Sequence, residues 1–273
     1  MRLAALLVVV ALAGCGSGAG DADARTVVAG FYPLAWAVER VGSPAVDEVV
    51  NLTPPGVEPH DLELAPSDLE TIAGADLVVY AGAGFQPALE DAVAARDVPA
   101  LDVLAPGETD PHVWLDPRRF AGVVELIARR LAAAGTAADV VRDLRSLDVE
   151  YRRGLRRCES RVLVTTHAAF GHLAARYGLE QVSLAGSSPE AEPAPRELER
   201  LIARVDASGA TTVFAEPLVS DRVAETVARE AGAEVAVLDP LEGLDEERLD
   251  AGEDYLSVMR LNLAVLRAAL RCT

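Results

Sequence analysis

The feature that most constrains this chain is an alternation of short strand-like runs with helical patterns. Eight runs rich in β-branched residues fall into two sets of four, with a helix-only stretch between the sets. Strands that alternate with helices form parallel sheets covered by helices. The predicted strands are 26–31, 47–52, 76–82 and 100–104, followed by 161–166, 181–184, 211–215 and 234–238. We therefore predict an α/β fold of two similar lobes, each a four-stranded, mainly parallel sheet flanked by helices.

The helix-only stretch between the two sets begins at Asp116 and Pro117, a pair that suits a helix start. Apolar residues then recur every three or four positions through 136–158, which predicts one long helix there. A helix of about 20 residues spans roughly 30 Å. We expect this helix to be a rigid link between an N-terminal lobe, 26–135, and a C-terminal lobe, 159–273, so that the lobes move little.

The beginning of the chain predicts its compartment. Arg2 precedes an apolar run that ends in the sequence LAGC at Cys15. The run is too short to cross a bilayer but suits a signal peptide, and its ending resembles a bacterial lipobox, in which the Cys carries lipid. We predict a signal peptide over 1–14 and a lipidated Cys15 with a flexible tether over 15–25. The protein would then be extracytoplasmic, anchored as a lipoprotein to the outer face of the cell membrane; an ordinary signal peptide with a chance Cys is the alternative.

The charge of the chain argues against one class of partner. Its formal net charge is −18, from 25 basic residues, all of them arginine, and 43 acidic residues. An acidic surface repels the phosphates of nucleic acids. We therefore expect no nucleic-acid partner.

Two cysteines remain besides Cys15. Cys158 and Cys272 are not spaced as a zinc cluster, which needs close pairs. Outside the cytoplasm such a pair can oxidise. A disulfide between them would tie the C-terminus to the middle of the chain, although one sequence does not show whether the two residues are close in space.

Histidines and acids follow several of the predicted strands. His60, His167, Glu216 and Asp239 each come after a strand, and His112 precedes the first long helix. Ligands of parallel α/β sheets bind beyond the carboxyl ends of the strands, and residues from two lobes would meet in the cleft between them. A lone histidine at a strand end is more often a hydrogen-bonded loop residue, so spacing alone leaves both interpretations open.

The chemistry of this donor set favours zinc. Zn²⁺ accepts imidazole and carboxylate donors in a tetrahedron, whereas manganese prefers more oxygen donors and copper(I) prefers sulfur. Glu216 could bind the metal, cap a helix or accept a hydrogen bond from a ligand, and we favour the last role. His172 follows His167 by five residues and faces partly away from it, which indicates a structural or surface role. The predicted metal ligands are His60, His112, His167 and Asp239.

Six segments together resemble a known family. They read GVEPHDLELAPSD, DPHVWLDP, THAAFGHLAARYGL, AEPAPRELERL, FAEPLVSDRVAETVAREAG and LDPLEGL. From about Thr26 to the C-terminus the chain resembles the solute-binding proteins of zinc and manganese ABC importers, the family that includes ZnuA and TroA. The resemblance implies two α/β lobes joined by one long helix, with metal in the cleft. It implies that the first two ligands are His60 and His112, that the third, a histidine in zinc receptors, is His167, and that the fourth is Asp239.

The resemblance also implies a function. The chain would be a high-affinity Zn²⁺ receptor, a monomer that delivers its ion to an ABC permease and its ATPase subunit. The alternatives are a Mn²⁺ receptor of the same family, a zinc-dependent hydrolase, and a surface adhesin that uses metal structurally. No HExxH-like motif is present, and a fourth protein ligand would close the site, so we expect no enzyme. The stretch before His112, APGETDP, lacks the His-rich loop that many zinc receptors carry.

Overall fold

Two parallel sheets form the centres of two lobes in residues 25–185 and 194–273, which the computed structural model describes. The first sheet contains β1 Thr26–Ala29, β2 Glu48–Asn51, β3 Leu77–Tyr80 and β4 Ala100–Asp102. The second contains β5 Val162–Thr165, β6 Glu180–Ser183, β7 Thr212–Ala215 and β8 Glu234–Val237. The strand orders, β2-β1-β3-β4 and β6-β5-β7-β8, are equivalent, and every pairing is parallel. The predicted α/β class with two similar lobes is confirmed.

Burial explains why the central strands read as continuous apolar runs. Val27 and Val28 of β1, and Leu163 and Val164 of β5, are fully buried although their side chains point to opposite faces of the sheets. Helices therefore cover both faces of each sheet, as is usual for parallel sheets. The edge strand β8 is more exposed.

Ten α-helices pack around the described parts of the sheets, and four of them begin at a proline. Proline suits the first helical turn because its missing N–H would have no partner there. The sequence did not predict the short helix α9. The helices are α1 Tyr32–Gly42, α2 Pro66–Gly74, α3 Pro87–Arg96, α4 Pro117–Arg130, α5 Ala137–Gly154, α6 Gly171–Tyr177, α7 Pro195–Ser208, α8 Arg222–Ala231, α9 Glu246–Asp250 and α10 Tyr255–Ala269.

Helices α5 and α10 hold the two lobes together. Helix α5 packs on α1 and α4 and also on α10, and the buried Tyr151 hydroxyl donates a hydrogen bond of 2.6 Å to the carbonyl of Met259. Helix α10 begins beside the first lobe, where the ring of Tyr255 lies 5.0 Å from Trp36 and 4.7 Å from Phe120. One hydrophobic core therefore extends through both lobes. The division of the chain at 135 and 158 stays a prediction.

A disulfide joins the segments that follow the C-terminal ends of α5 and α10. Cys158 and Cys272 lie 114 residues apart in sequence, and their Sγ atoms are 1.97 Å apart in a disulfide. Among the described residues, no helix combines the length and the hydropathy needed to cross a bilayer. The predicted signal peptide and Cys15 lie outside the described residues, as does all of the predicted tether except Arg25.

Candidate metal centre

Four loops that follow strands bring the candidate donors together. His60 lies in a 3-10 turn after β2, and His112 lies at the start of another such turn after β4. His167 follows β5, and Glu242 lies in the loop between β8 and α9. The carboxyl ends of the strands therefore present two donors from each lobe to the cleft.

The four side chains converge on one point. One donor atom from each of His60, His112, His167 and Glu242 lies within 4.8 Å of all the others. Glu242 Oε1 is 3.5 Å from Nε2 of His60 and 3.3 Å from Nε2 of His112 and of His167. A tetrahedral zinc site with bonds of about 2.0–2.1 Å has donors roughly 3.3–3.4 Å apart. The three distances from Glu242 are therefore close to the edges of such a tetrahedron, and the other donor pairs lie within 4.8 Å.

The donors are withdrawn from solvent. The side chains of His112, His167 and Glu242 are fully buried, and that of His60 is 7% exposed. Nε2 of His60, Nε2 of His112 and Oε2 of Glu242 are buried without a hydrogen-bond partner among the described residues. Buried polar atoms are normally paired. These atoms therefore fit a cation held between them.

Carboxylates behind two of the histidines fix their ring orientation. His112 Nδ1 is hydrogen-bonded to Asp110 Oδ1 at 2.7 Å, and His167 Nδ1 lies 2.6 Å from Glu216 Oε2. A proton on Nδ1 leaves the lone pair on Nε2, the atom that faces the cluster. The ring of His60 is supported differently, by a T-shaped contact with Phe85 at 4.4 Å between ring centroids.

The charges of the cluster depend on one another. Burial disfavours the imidazolium form of His167, but Glu216 and Glu242 outweigh burial and raise its pKa to about 10. Burial of His112 is outweighed in the same way by Asp110 and Glu242, and its pKa is also raised. Burial disfavours ionised Glu242, yet the surrounding imidazoles hold its pKa well below the usual range. Protons and a metal cation therefore compete for the same site.

Glu58, a second acid beside the cluster, has a raised pKa, whereas the pKa of Glu242 is lowered. Glu58 Oε1 accepts a hydrogen bond of 3.2 Å from the backbone N–H of His60. Burial, followed by the negative charge of Glu242, raises the pKa of Glu58 to about 9. Near neutral pH the charged acid of the pair is therefore Glu242.

Comparison with known proteins identifies the family. The family model ZnuA, described as "Zinc-uptake complex component A periplasmic", matches residues 27–269. The chain belongs to the ZnuA family. The resemblance that the sequence motifs indicated is confirmed.

Relatives of this ZnuA-family chain include two named zinc proteins. "Zinc-binding protein AdcA" of Streptococcus pyogenes serotype M1 is 35% identical over 88% of the chain, which spans only 55% of AdcA. "High-affinity zinc uptake system protein ZnuA" of Bacillus subtilis is 32% identical over 98% of the chain and 96% of its own length. The solved Zn(II)-bound ZnuA-like domain of Streptococcus pneumoniae AdcA is 34% identical, with a TM-score of 0.77, over 90% of this chain and 99% of that domain.

The structure does not bring Asp239 to the three histidines. Its Oδ1 accepts a hydrogen bond of 2.7 Å from the backbone N–H of Leu241, and its Oδ2 lies 2.6 Å from Nη1 of Arg248. Both oxygens are therefore engaged away from the cluster, and Glu242 stands where Asp239 was predicted. The segment LDPLEGL contains both acids, and the geometry favours Glu242 over the predicted Asp239 as the fourth donor.

The remaining predicted residues lie around the cluster. Glu216 contacts His167 twice, through Nδ1 and through the backbone N–H at 3.2 Å. It also accepts a hydrogen bond from the hydroxyl of Thr166. His172 lies on α6, and its Nε2 is 3.0 Å from the carbonyl oxygen of Asp110. His172 therefore contacts the segment that holds His112 rather than the four donors themselves.

Contacts between the lobes close the site. The backbone N–H of Gly56 donates to the carbonyl of Leu244 at 3.2 Å. The indole N–H of Trp114 donates to the carbonyl of Pro240 at 2.7 Å, and the Tyr255 hydroxyl donates to the carbonyl of Trp114 at 2.5 Å. Loops of the first lobe are thereby fixed against the segment that carries Glu242.

Proposed function

We propose that this chain captures Zn²⁺ between its lobes and delivers it to the permease of an ABC importer. The observation that carries the proposal is the position of Glu242 Oε1, which lies 3.3–3.5 Å from Nε2 of each of three histidines. That spacing suits a tetrahedral ion. Membership of the ZnuA family supports transport as the purpose of the site.

The donor set supports zinc over manganese. Imidazole nitrogens from His60, His112 and His167 supply three donors, and Glu242 supplies a carboxylate oxygen. Mn²⁺ favours oxygen-rich shells of higher coordination number, whereas Zn²⁺ is satisfied by four such donors. Mn²⁺ would therefore bind more weakly at this site.

A receptor explains the site better than a hydrolase. A catalytic zinc keeps one position open for water, whereas a closed site uses four protein ligands. Here four protein donors converge, and three of their side chains are fully buried. The ion is thus held by the protein and shielded from a substrate.

Release of the ion follows from how the donors are divided. His60 and His112 belong to the first lobe, and His167 and Glu242 to the second. A separation of the lobes would therefore split the four donors into two pairs, each of which binds zinc weakly. Because α5, α10 and one continuous core join the lobes, a small movement is expected, driven by docking of the permease.

The cellular setting completes the proposal. The lipobox-like sequence at Cys15 supports attachment of the monomeric protein to the outer face of the membrane. Anchoring would keep the receptor beside the permease and its ATPase subunit.

The test compares His167→Ala with a matched histidine variant. The protein, purified without added metal, is analysed for bound metals, and its Zn²⁺ and Mn²⁺ affinities are measured by competition with a chelator. We expect one Zn²⁺ per chain, tighter binding of Zn²⁺ than of Mn²⁺, and a loss of zinc affinity of at least about 100-fold in His167→Ala. His172→Gln, which keeps a donor for the carbonyl of Asp110, should stay within about threefold of the wild type. Unchanged zinc affinity in His167→Ala would refute the proposed site.

A further inference from the structure

The segment that carries Glu242 is closed on itself by an ion pair. Arg248 Nη1 lies 2.6 Å from Asp239 Oδ2, nine residues earlier in the chain. The Asp239 side chain is 7% exposed and that of Arg248 is 21% exposed. Glu242 lies inside this closed loop, so its position depends on how the loop is held.

The same carboxylate controls the turn immediately before Glu242. Asp239 Oδ1 accepts a hydrogen bond of 2.7 Å from the backbone N–H of Leu241. Leu241 has a φ of 56°, in the left-handed region that a leucine rarely adopts. The hydrogen bond from Leu241 to Asp239 stabilises this turn, which directs the next side chain, Glu242, toward the histidines.

Asp239 is itself fixed to a long helix. Its backbone N–H donates to Asn262 Oδ1 at 3.0 Å, and its carbonyl accepts from Asn262 Nδ2 at 2.7 Å. Asn262 lies in α10, which packs against α5. The carboxylate of Asp239 thus connects a fixed point of the scaffold to both the turn at Leu241 and the helix α9 that carries Arg248.

We propose that Asp239 and Arg248 are positioning residues, which hold Glu242 at the zinc site and thereby slow the release of zinc. The inference rests on the proposed function. Neither residue touches the ion. Partners of this kind typically change metal affinity by about 10- to 100-fold, because they limit the geometries that the ligand can adopt.

The position of Arg248 would allow its ion pair with Asp239 to break without unfolding of the protein. Helix α9 has five residues and lies on the surface with no buried side chain. Arg248 also lines a groove of about 370 Å³ between β8 and α10. Rotation of the Arg248 side chain into this groove would free Asp239 and loosen the loop, while the histidines keep their places.

The test is a double-mutant cycle on zinc affinity and zinc dissociation rate. Asp239→Asn keeps the shape and an acceptor for Leu241 but loses the charge that holds Arg248. Arg248→Gln removes the other partner, and Arg248→Lys keeps its charge. We expect each of the first two variants to weaken zinc binding about 10- to 100-fold, mainly through faster dissociation. The zinc affinity of the double variant should be no more than about threefold below that of the single variant that binds zinc less tightly.

A matched control and a spectrum separate positioning from general damage. Glu253 lies 2.8 Å from Arg248 Nε, whereas Asp239 pairs with Nη1 of the same side chain, so Glu253→Gln should stay within about twofold of the wild type. With Co²⁺ in place of Zn²⁺, Asp239→Asn should keep the absorption bands of the wild type, because the four donors are unchanged. Arg248→Lys should recover part of the affinity even if Arg248→Gln folds poorly.

Three outcomes would overturn the inference. The first outcome is that Asp239→Asn alters the Co²⁺ bands and causes the same loss of zinc affinity whether or not Arg248 is also replaced. That result would show that Asp239 is itself a ligand. Wild-type zinc dissociation in Asp239→Asn and Arg248→Gln, together with a large loss in Glu242→Gln, would show that the pair does not position Glu242. A loss in Arg248→Lys equal to that in Arg248→Gln would show that charge pairing is irrelevant. By contrast, unchanged affinity in both Glu242→Gln and His167→Ala would refute the proposed function itself.

Discussion

The Glu242→Gln substitution tests the fourth donor while it preserves the shape of the side chain. Glu242 is fully buried, and one of its oxygens is shared by three imidazole nitrogens at 3.3–3.5 Å. The amide of glutamine fills the same space but carries no charge and is a poor zinc ligand. The substitution therefore removes one donor of four with little change in packing.

The expected loss can be worked out from the donor count. Closed four-donor zinc sites contribute about 10–16 kcal/mol, which is roughly 2.5–4 kcal/mol for each donor. This corresponds to about 60- to 900-fold in the dissociation constant. Part of the loss is offset, because removal of Glu242 also removes an interaction that raises the pKa of His167, and protons then compete less. We expect a net loss of about 100-fold at pH 7.

The assay is a competition titration with a chromophoric zinc chelator at fixed pH and salt. Glu125→Gln is the control, since Glu125 is an exposed acid on α4 that pairs only with Arg145 among the described residues. The control should bind zinc as the wild type does. A loss of less than about threefold in Glu242→Gln would refute the assignment of Glu242 as a donor.

Three further predictions concern the surroundings of the site. Glu216→Gln should weaken zinc binding about 10- to 100-fold in the same titration, because His167 loses the carboxylate that orients its ring; a loss below threefold would contradict this role. Zinc affinity should rise by at least about tenfold per pH unit from pH 7 to 9, since the pKa of about 10 means that His167 must lose a proton to bind zinc; an affinity independent of pH in that range would contradict it. Removal of the disulfide in a Cys158→Ser, Cys272→Ser double variant should lower the free energy of unfolding by about 2–5 kcal/mol, measured in denaturant with zinc chelated. Zinc affinity should stay within about threefold, because the disulfide lies at the opposite end of β5 from His167, and a large loss of affinity would show that the two ends are coupled.

The fold was readable from the sequence because its signals are local. The cores of strands such as β1 and β3 are apolar runs, and the long helices α4 and α5 repeat apolar residues every three to four positions. Helix α9 was missed because five residues, Glu246–Asp250, are too few to show any period. The 3-10 turns that carry His60 and His112 were missed for the same reason.

The histidines of the candidate site could be selected because the chain has only four. The position after a strand marked His60 and His167, and His112 fitted a family motif. His172 was set apart by its spacing from His167, and the structure places it against the backbone of Asp110. Because histidine is rare in this chain, each histidine could be assessed individually as a metal ligand.

The fourth donor depended on features that no sequence pattern shows. Asp239 and Glu242 are three residues apart in one loop, so both follow β8 closely. Glu242 faces the histidines in the folded loop, where two features accompany it: the left-handed conformation of Leu241 and the pairing of Arg248 with Asp239. Both are properties of the folded loop, and neither has a local signature.

The most direct test of the account is a crystal structure of the zinc-loaded protein with anomalous data collected at the zinc absorption edge. We predict one strong peak, about 2.0–2.2 Å from Nε2 of His60, His112 and His167 and from a carboxylate oxygen of Glu242. Asp239 should remain paired with Arg248. A peak bound by Asp239, or one located away from the three histidines, would contradict the account.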